Sequence, residues 1–175
     1  MPAPRSSLVF LVPEADPLVG RLRLAHDPAA RAGLDAHVTL LFPFVPPESI
    51  DATVLKRLED QFARDPEISG DVELRFDRLA RFPDGVLYLA LADGAVKSKI
   101  RALAKAWPEY PPYEGRFLDS VPHLTVAHGE EEVLASAEAE LASALPLVVN
   151  IRFASLIVEN DTGRWLEQTR FALHQ

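Results

Sequence analysis

Two short stretches, His37-Val38-Thr39-Leu40 and His123-Leu124-Thr125-Val126, repeat one pattern of histidine, apolar residue, threonine and apolar residue. Residues i and i+2 of a strand share a face. Read as a strand, each stretch therefore sets an imidazole beside a hydroxyl on one side, and Val38 and Leu40, or Leu124 and Val126, point into a core on the other. One such pair is a common accident. With five histidines and five threonines in 175 residues, two coincide in about 1% of random placements, before the apolar positions are counted. The duplication predicts two related strands, each needing a core behind it.

The rest of the chain repeats around these strands. Ser6 to Val12 reads as a buried strand, and Glu14 to Leu24 as a helix with Leu18, Val19 and Leu22 on its apolar face. The first tetrad strand spans about Ala36 to Phe42. A helix capped by Ser49 runs to Arg64, and strands follow from Gly70, with Val72, Leu74 and Phe76 inward, and from Val86 to Leu91, around a Pro83-Asp84-Gly85 turn. The second half repeats that order. Asp93 caps a helix carrying Val96, Ile100, Leu103 and Trp107, and a loop from Glu109 to Val121 enters the second tetrad strand, Pro122 to His128. A helix from Glu131 to Leu145 and strands from Leu147 to Val158 and Arg164 to Leu173 complete it. Val72-Glu73-Leu74-Arg75-Phe76 and Val149-Asn150-Ile151-Arg152-Phe153 share Val, Arg and Phe in register. The chain is therefore expected to be a single α+β domain of two pseudo-symmetric lobes, each an antiparallel sheet covered by helices. The internal repeat covers approximately 14–92 and 93–173, with a central cleft between the tetrad strands.

Composition narrows the function classes. Zero cysteines exclude disulfides, thiolate metal sites and a cysteine nucleophile. The apolar run Leu8 to Val12 is too short for a secretory signal, and no run approaches a membrane span, so a cytoplasmic location and no membrane partner are expected. The net charge of −8 leaves no long polyanion track, although one phosphate can still bind in a local pocket. The chain is expected to be a monomer.

Histidine titrates near neutrality, so one of a pair can be neutral while the other is protonated. The neutral ring can then take a proton from an attacking oxygen while the imidazolium gives one to a leaving oxygen. Threonine hydroxyls beside them can donate to the non-bridging oxygens of a phosphodiester and stabilise charge accumulating there. This scheme requires no cofactor and no metal.

HVTLLFPF and PHLTVAHG resemble the motifs of the 2H phosphoesterase superfamily, specifically its bacterial 2′-5′ RNA ligase-like members. The resemblance extends over nearly the whole chain, including the FPFVPP and WPEYPPYEG segments. It implies a bilobal α+β fold and metal-independent action on 2′,3′-cyclic phosphates, 2′-5′ linkages or cyclic nucleotide phosphates. It assigns catalytic roles to His37 and His123 and phosphate-binding roles to Thr39 and Thr125. The acidic charge favours a small nucleotide or an RNA end as the partner. The alternative from another class is a binding module that holds such a ligand in the same cleft without turning it over.

Other residues carry weaker expectations. Arg116, Tyr110, Tyr113 and Phe117 lie in the loop before the second tetrad, where an Arg can pair with phosphate and a ring can stack on a base. The competing reading is a proline-stiffened connector. Phe44 can line the pocket or pack in the core. His128, five residues after His123, faces the opposite side of a continuous strand, which argues against a zinc site. His26 reads as a helix-end residue and His174 as part of a frayed terminus, and Glu130-Glu131-Glu132 suits a helix N-terminus.

Overall fold

Two uninterrupted apolar runs form the inner strands around which the fold is built. The computed structural model describes residues 3–92, 94–116 and 120–173. The strands are β1 (Ser6–Leu11), β2 (His37–Leu41), β3 (Val72–Phe82), β4 (Val86–Leu91), β5 (His123–His128), β6 (Leu147–Ile151), β7 (Phe153–Glu159) and β8 (Trp165–Ala172). They make two antiparallel sheets, ordered β2-β1-β7-β8 and β5-β4-β3-β6. β1 and β4 are inner strands covered on both faces, which is why each reads as a continuous apolar run rather than an alternation.

The sheets cut across the two sequence halves. β3 and β4 come from the first half yet pair with β5 and β6, while β7 and β8 return to β1 and β2. The helices are α1 (Asp16–His26), α2 (Pro28–Arg31), α3 (Ala52–Arg64), α4 (Ala95–Ala106) and α5 (Glu131–Leu141). They cross over as well: α1 packs on β5 and α4 packs on β2. One continuous core results, in which Leu8, Phe10 and Val38 of one sheet join Leu74, Phe76, Leu89 and Leu124 of the other. Among the described residues no helix is long and apolar enough to cross a membrane.

Three boundaries differ from the sequence reading. The expected strand Leu147 to Val158 is two strands in different sheets, broken at Arg152. Its inward positions run Val149, Ile151, then Ala154 and Leu156, a slip of one residue that marks the corner. The cap of α3 is Asp51 rather than Ser49, because residues 47–49 form a 3₁₀ turn and the Asp51 carboxylate accepts from Thr53 N and Val54 N, both at 2.9 Å. The helix expected to reach Leu145 ends at Leu141 and tightens into a 3₁₀ turn at Ala142–Ala144. The expected cap Asp93 lies outside the described residues, as do Phe117 and His174.

Arg23 and Asp27 form an ion pair at 2.9 Å with side chains only 3% and 2% exposed. Asp27 also caps α2 by accepting from Ala29 N, and Arg23 donates to Leu34 O. Removing one member strands a buried charge, so Asp27→Ala is expected to cost about 3–5 kcal/mol in urea unfolding. Removing the exposed cap in Asp51→Ala should cost about 1 kcal/mol. Equal small losses in the two variants would contradict this ranking.

Candidate functional site

β2 and β5 are edge strands of their sheets and pack against each other. Val38, Leu40, Leu124 and Val126 are at most 1% exposed, while His37, Thr39, His123 and Thr125 are half-buried on the opposite face. In both strands the alternation then breaks at the same place. Leu8 pairs with Leu41 and Val9 with Thr39, which leaves Leu40 as the extra residue of a bulge. Leu87 pairs with Ala127 and Tyr88 with Thr125, which leaves Val126 extra in the same way. An extra residue reverses the parity of the positions after it. Phe42 and His128 therefore rejoin the face carrying the histidine and threonine. Simple alternation puts His128 on the far side from His123, and the bulge is the reason it is not there.

Both imidazoles are fixed by the same local device. Nδ1 of His37 lies 2.8 Å from the Asp35 carbonyl oxygen, and Nδ1 of His123 lies 2.7 Å from that of Val121. A carbonyl only accepts, so Nδ1 carries the hydrogen and donates it. In the neutral ring this leaves the lone pair on Nε2. Burial pushes His37 down to about 4, against the opposing pull of its Asp35 carbonyl, and the charges of Arg23 and His123 depress it further while Asp27 opposes. Burial also lowers His123, with the Val121 carbonyl and Asp84 opposing and His128 adding to the depression. With both lowered, the two rings are neutral near pH 7.

Their surroundings differ. The His123 ring packs edge-on to Phe82, with centroids 4.9 Å apart, and lies 5.2 Å from Tyr88, which stacks on Phe82. Beside His37 and Thr39 lies a cavity of about 410 Å³ whose wall includes Arg5, Phe42 and Trp165, with α2 along one side. Arg5 is held by Glu159, with Nε donating at 2.9 Å, and its guanidinium stands 5.3 Å from the Phe42 centroid and 5.7 Å from that of Trp165.

The loop residues separate cleanly. Tyr113 approaches the end of β2, where its backbone N–H donates to the Phe42 carbonyl at 2.6 Å and its ring meets the edge of Phe42 with centroids 6.4 Å apart. Arg116 stands at the surface, 73% exposed, paired with Glu114 at 2.6 Å. Phe44 is 4% exposed and packs edge-on against Trp107 and Tyr110 at 4.9 and 5.6 Å, so it belongs to the core and does not line the cavity. His128 approaches the buried Asp27, with Nε2 3.8 Å from Oδ1. Among the described residues no group of three or more His, Asp or Glu side chains is arranged to hold a metal ion.

Arg5 and Trp165 are cavity residues that the sequence reading does not single out. Arg5 precedes the first strand, and Trp165 follows a turn near the other end of the chain. Only the pairing of β1 with β7, and of β7 with β8, brings them together.

A model of the 2′-5′ RNA ligase superfamily matches residues 11–163. A comparison with curated protein sequences finds no match. Among solved structures, Escherichia coli LigT complexed with 3′-AMP is similar at a TM-score of 0.64 and 17% identity, over 98% of each chain. A crystal structure described as a phosphoesterase is similar at 0.62 and 17% identity, over 99% of this chain and 100% of its own. TT0787 of Thermus thermophilus is similar at 0.55 and 17% identity, over 97% of each. At these identities the likeness is one of fold.

The depressed histidines make a prediction about stability. The unfolded chain titrates its histidines near 6.5, whereas folded His37 does so at about 4. Between those values the unfolded state binds protons that the folded state refuses. Stability from this source is therefore whole above about pH 6.5 and is lost as pH falls toward 4. Urea midpoints across that range should fall, and less steeply in His37→Gln. An unchanged slope in the variant would contradict the burial of that ring.

Proposed function

Because the chain belongs to the 2′-5′ RNA ligase superfamily, a group of 2H phosphoesterases, we propose that it cleaves a 2′,3′-cyclic phosphate or a 2′-5′ phosphodiester of a small nucleotide or RNA end, with His37 and His123 as the general acid–base pair. The observation that carries this reading is the matched pair of Nδ1 anchors, which presents Nε2 of each ring from the same face of two edge strands packed against each other.

The chemistry follows from that arrangement. With a 2′,3′-cyclic phosphate bound between the rings, Nε2 of one neutral histidine takes a proton from water as the new P–O bond forms. The bond from phosphorus to one ribose oxygen breaks, and that oxygen receives the proton of the other ring. The product is a nucleoside monophosphate, and each ring ends in the state its partner began in. Reversal exchanges the two roles, closing the ring and expelling water; ligation would instead need a 5′-hydroxyl to attack the cyclic phosphate in place of water. In the free cleft both rings are neutral, so the imidazolium must be supplied on binding. The negative phosphate favours the charged form and raises the pKa of the ring that takes up the proton. Thr39 and Thr125 are suited to donate to the non-bridging oxygens. Acid–base transfer of this kind contributes about 10²–10⁴-fold, and the rest comes from holding the phosphate in line between the rings.

The substrate's size follows from the cavity beside His37. Its volume of about 410 Å³ suits one nucleoside, with the aromatic faces of Phe42 and Trp165 for a base. LigT, alike in fold, is seen with 3′-AMP, the kind of product this reaction releases.

The test uses purified protein and 2′,3′-cyclic AMP in the presence of EDTA. Expected are a single monophosphate regioisomer, a bell-shaped pH profile, and a loss in kcat of about 10²–10⁴-fold in His37→Ala and in His123→Ala. Saturable binding with the ligand recovered unchanged would instead make the chain a binding module. Full activity in either variant would remove the acid–base pair.

A further inference from the structure

We infer that Arg5 is a specificity-determining residue that selects guanine as the base of the substrate, reading O6 and N7 at the end of the cavity away from His37. This inference rests on the phosphodiesterase reading and names the substrate within it.

The strand register sets the scale. Thr39 pairs with Val9, and Arg5 stands four residues before Val9, about 13 Å away at the rise of an extended chain. His37, Thr39 and Arg5 nevertheless line one cavity, of about 410 Å³. A phosphate held at the Thr39 end therefore sends its base toward Arg5, the span of one nucleotide. Arg5 is tied down at that end. Its backbone carbonyl accepts from Glu159 N at 2.8 Å, and its side chain donates to the Glu159 carboxylate, from Nε at 2.9 Å and from Nη2 at 3.3 Å. The rings of Phe42 and Trp165, at 5.3 and 5.7 Å, hold the same cation from the side.

These contacts use one side of the guanidinium and leave the other. Arginine carries five N–H donors in a planar fork. Glu159 takes Nε and one hydrogen of Nη2, so the edge formed by Nη1 and Nη2 keeps two parallel N–H groups. Such an edge needs two acceptors side by side. Guanine presents them as O6 and N7, whereas adenine sets its N6 amino donor where O6 would be. Cytosine also has adjacent acceptors in N3 and O2, but O2 lies beside the glycosidic bond and cannot extend toward Arg5. A base bonded in the plane of the guanidinium lies over the same aromatic rings, so stacking and hydrogen bonding act on one ligand. A second phosphate fits this arginine less well, because the Glu159 carboxylate already neutralises it and repels an incoming anion.

The experiment compares guanosine, adenosine, cytidine and uridine 2′,3′-cyclic phosphates on the full chain, with Kd for guanosine and adenosine 3′-monophosphates read beside turnover. Wild-type kcat/KM should favour guanosine over adenosine by about ten- to a hundredfold, chiefly through KM. Arg5→Lys keeps the charge and a partner for Glu159 but cannot present two parallel N–H groups. Its guanosine-to-adenosine ratio should therefore fall to about one, with the unfolding midpoint near the wild-type value. Arg5→Met should lose the preference in the same way. Four outcomes would overturn the inference: no base preference in the wild type, preference for another base, a ratio that survives Arg5→Lys, or an equal loss on all four substrates, which is the mark of a phosphate contact. Turnover without base preference leaves the proposed function standing, whereas neither turnover nor affinity for any of these nucleotides overturns that function too.

Discussion

Two backbone carbonyls, those of Asp35 and Val121, determine what the pair of histidines can do. Each lies two residues before its histidine and accepts from Nδ1, which fixes both the ring's orientation and its tautomer. An imidazole without this bond can swap tautomers and swing about χ2, and its Nε2 then carries a lone pair only part of the time. With the bond, both lone pairs are presented continuously. Burial then removes the charge from both rings, most strongly at His37. Both rings are therefore uncharged at neutral pH, and in the proposed reaction it is an anionic ligand that charges one of them. Binding and activation become the same event in the proposed reaction.

The strand architecture makes this possible. An edge strand has a free side, and a bulge near its end adds curvature and re-aims the next residue. Both tetrad strands use the two features at the same positions, with Leu40 and Val126 as the extra residues. The crossing of α1 onto β5 and α4 onto β2 locks the edges against each other, so neither lobe can move without disturbing the core they share. Matched backbones nevertheless present different groups. After the bulge one strand offers Phe42, next to a cavity holding a stacked Arg5, while the other offers His128 near Asp27. The chemical centre is close to symmetric and its flanks are not.

Much of this was legible in the sequence, for identifiable reasons. The tetrads carry their own period of two, so their inward and outward faces could be read from Val38, Leu40, Leu124 and Val126 alone. The inner strands announce themselves as uninterrupted apolar runs. What escaped was whatever depends on non-local pairing. A bulge exists only relative to a partner strand, so the turn of His128 onto the face of His123 and Thr125 has no signal in its own segment. The split at Arg152 left a trace, since the spacing of Val149, Ile151, Ala154 and Leu156 slips by one, but a slip reads equally as an irregular strand. Arg5 and Trp165 meet only because strands from opposite ends of the chain become neighbours. In the loop before β5, composition does not separate Tyr113, which packs on Phe42 at the end of β2, from Arg116, which faces solvent, or Tyr110, which packs on Phe44.

The central claim is that His37 and His123 address one phosphate. The most direct measurement is long-range ¹H–¹⁵N correlation of the imidazole rings, recorded while a nucleoside 3′-monophosphate is titrated in at neutral pH. One equivalent should shift Nε2 of both rings along a single binding isotherm, with one ring gaining a proton and both Nδ1 resonances staying protonated. A response from only one of the two rings, or two isotherms with separate stoichiometries, would mean that the histidines belong to different sites.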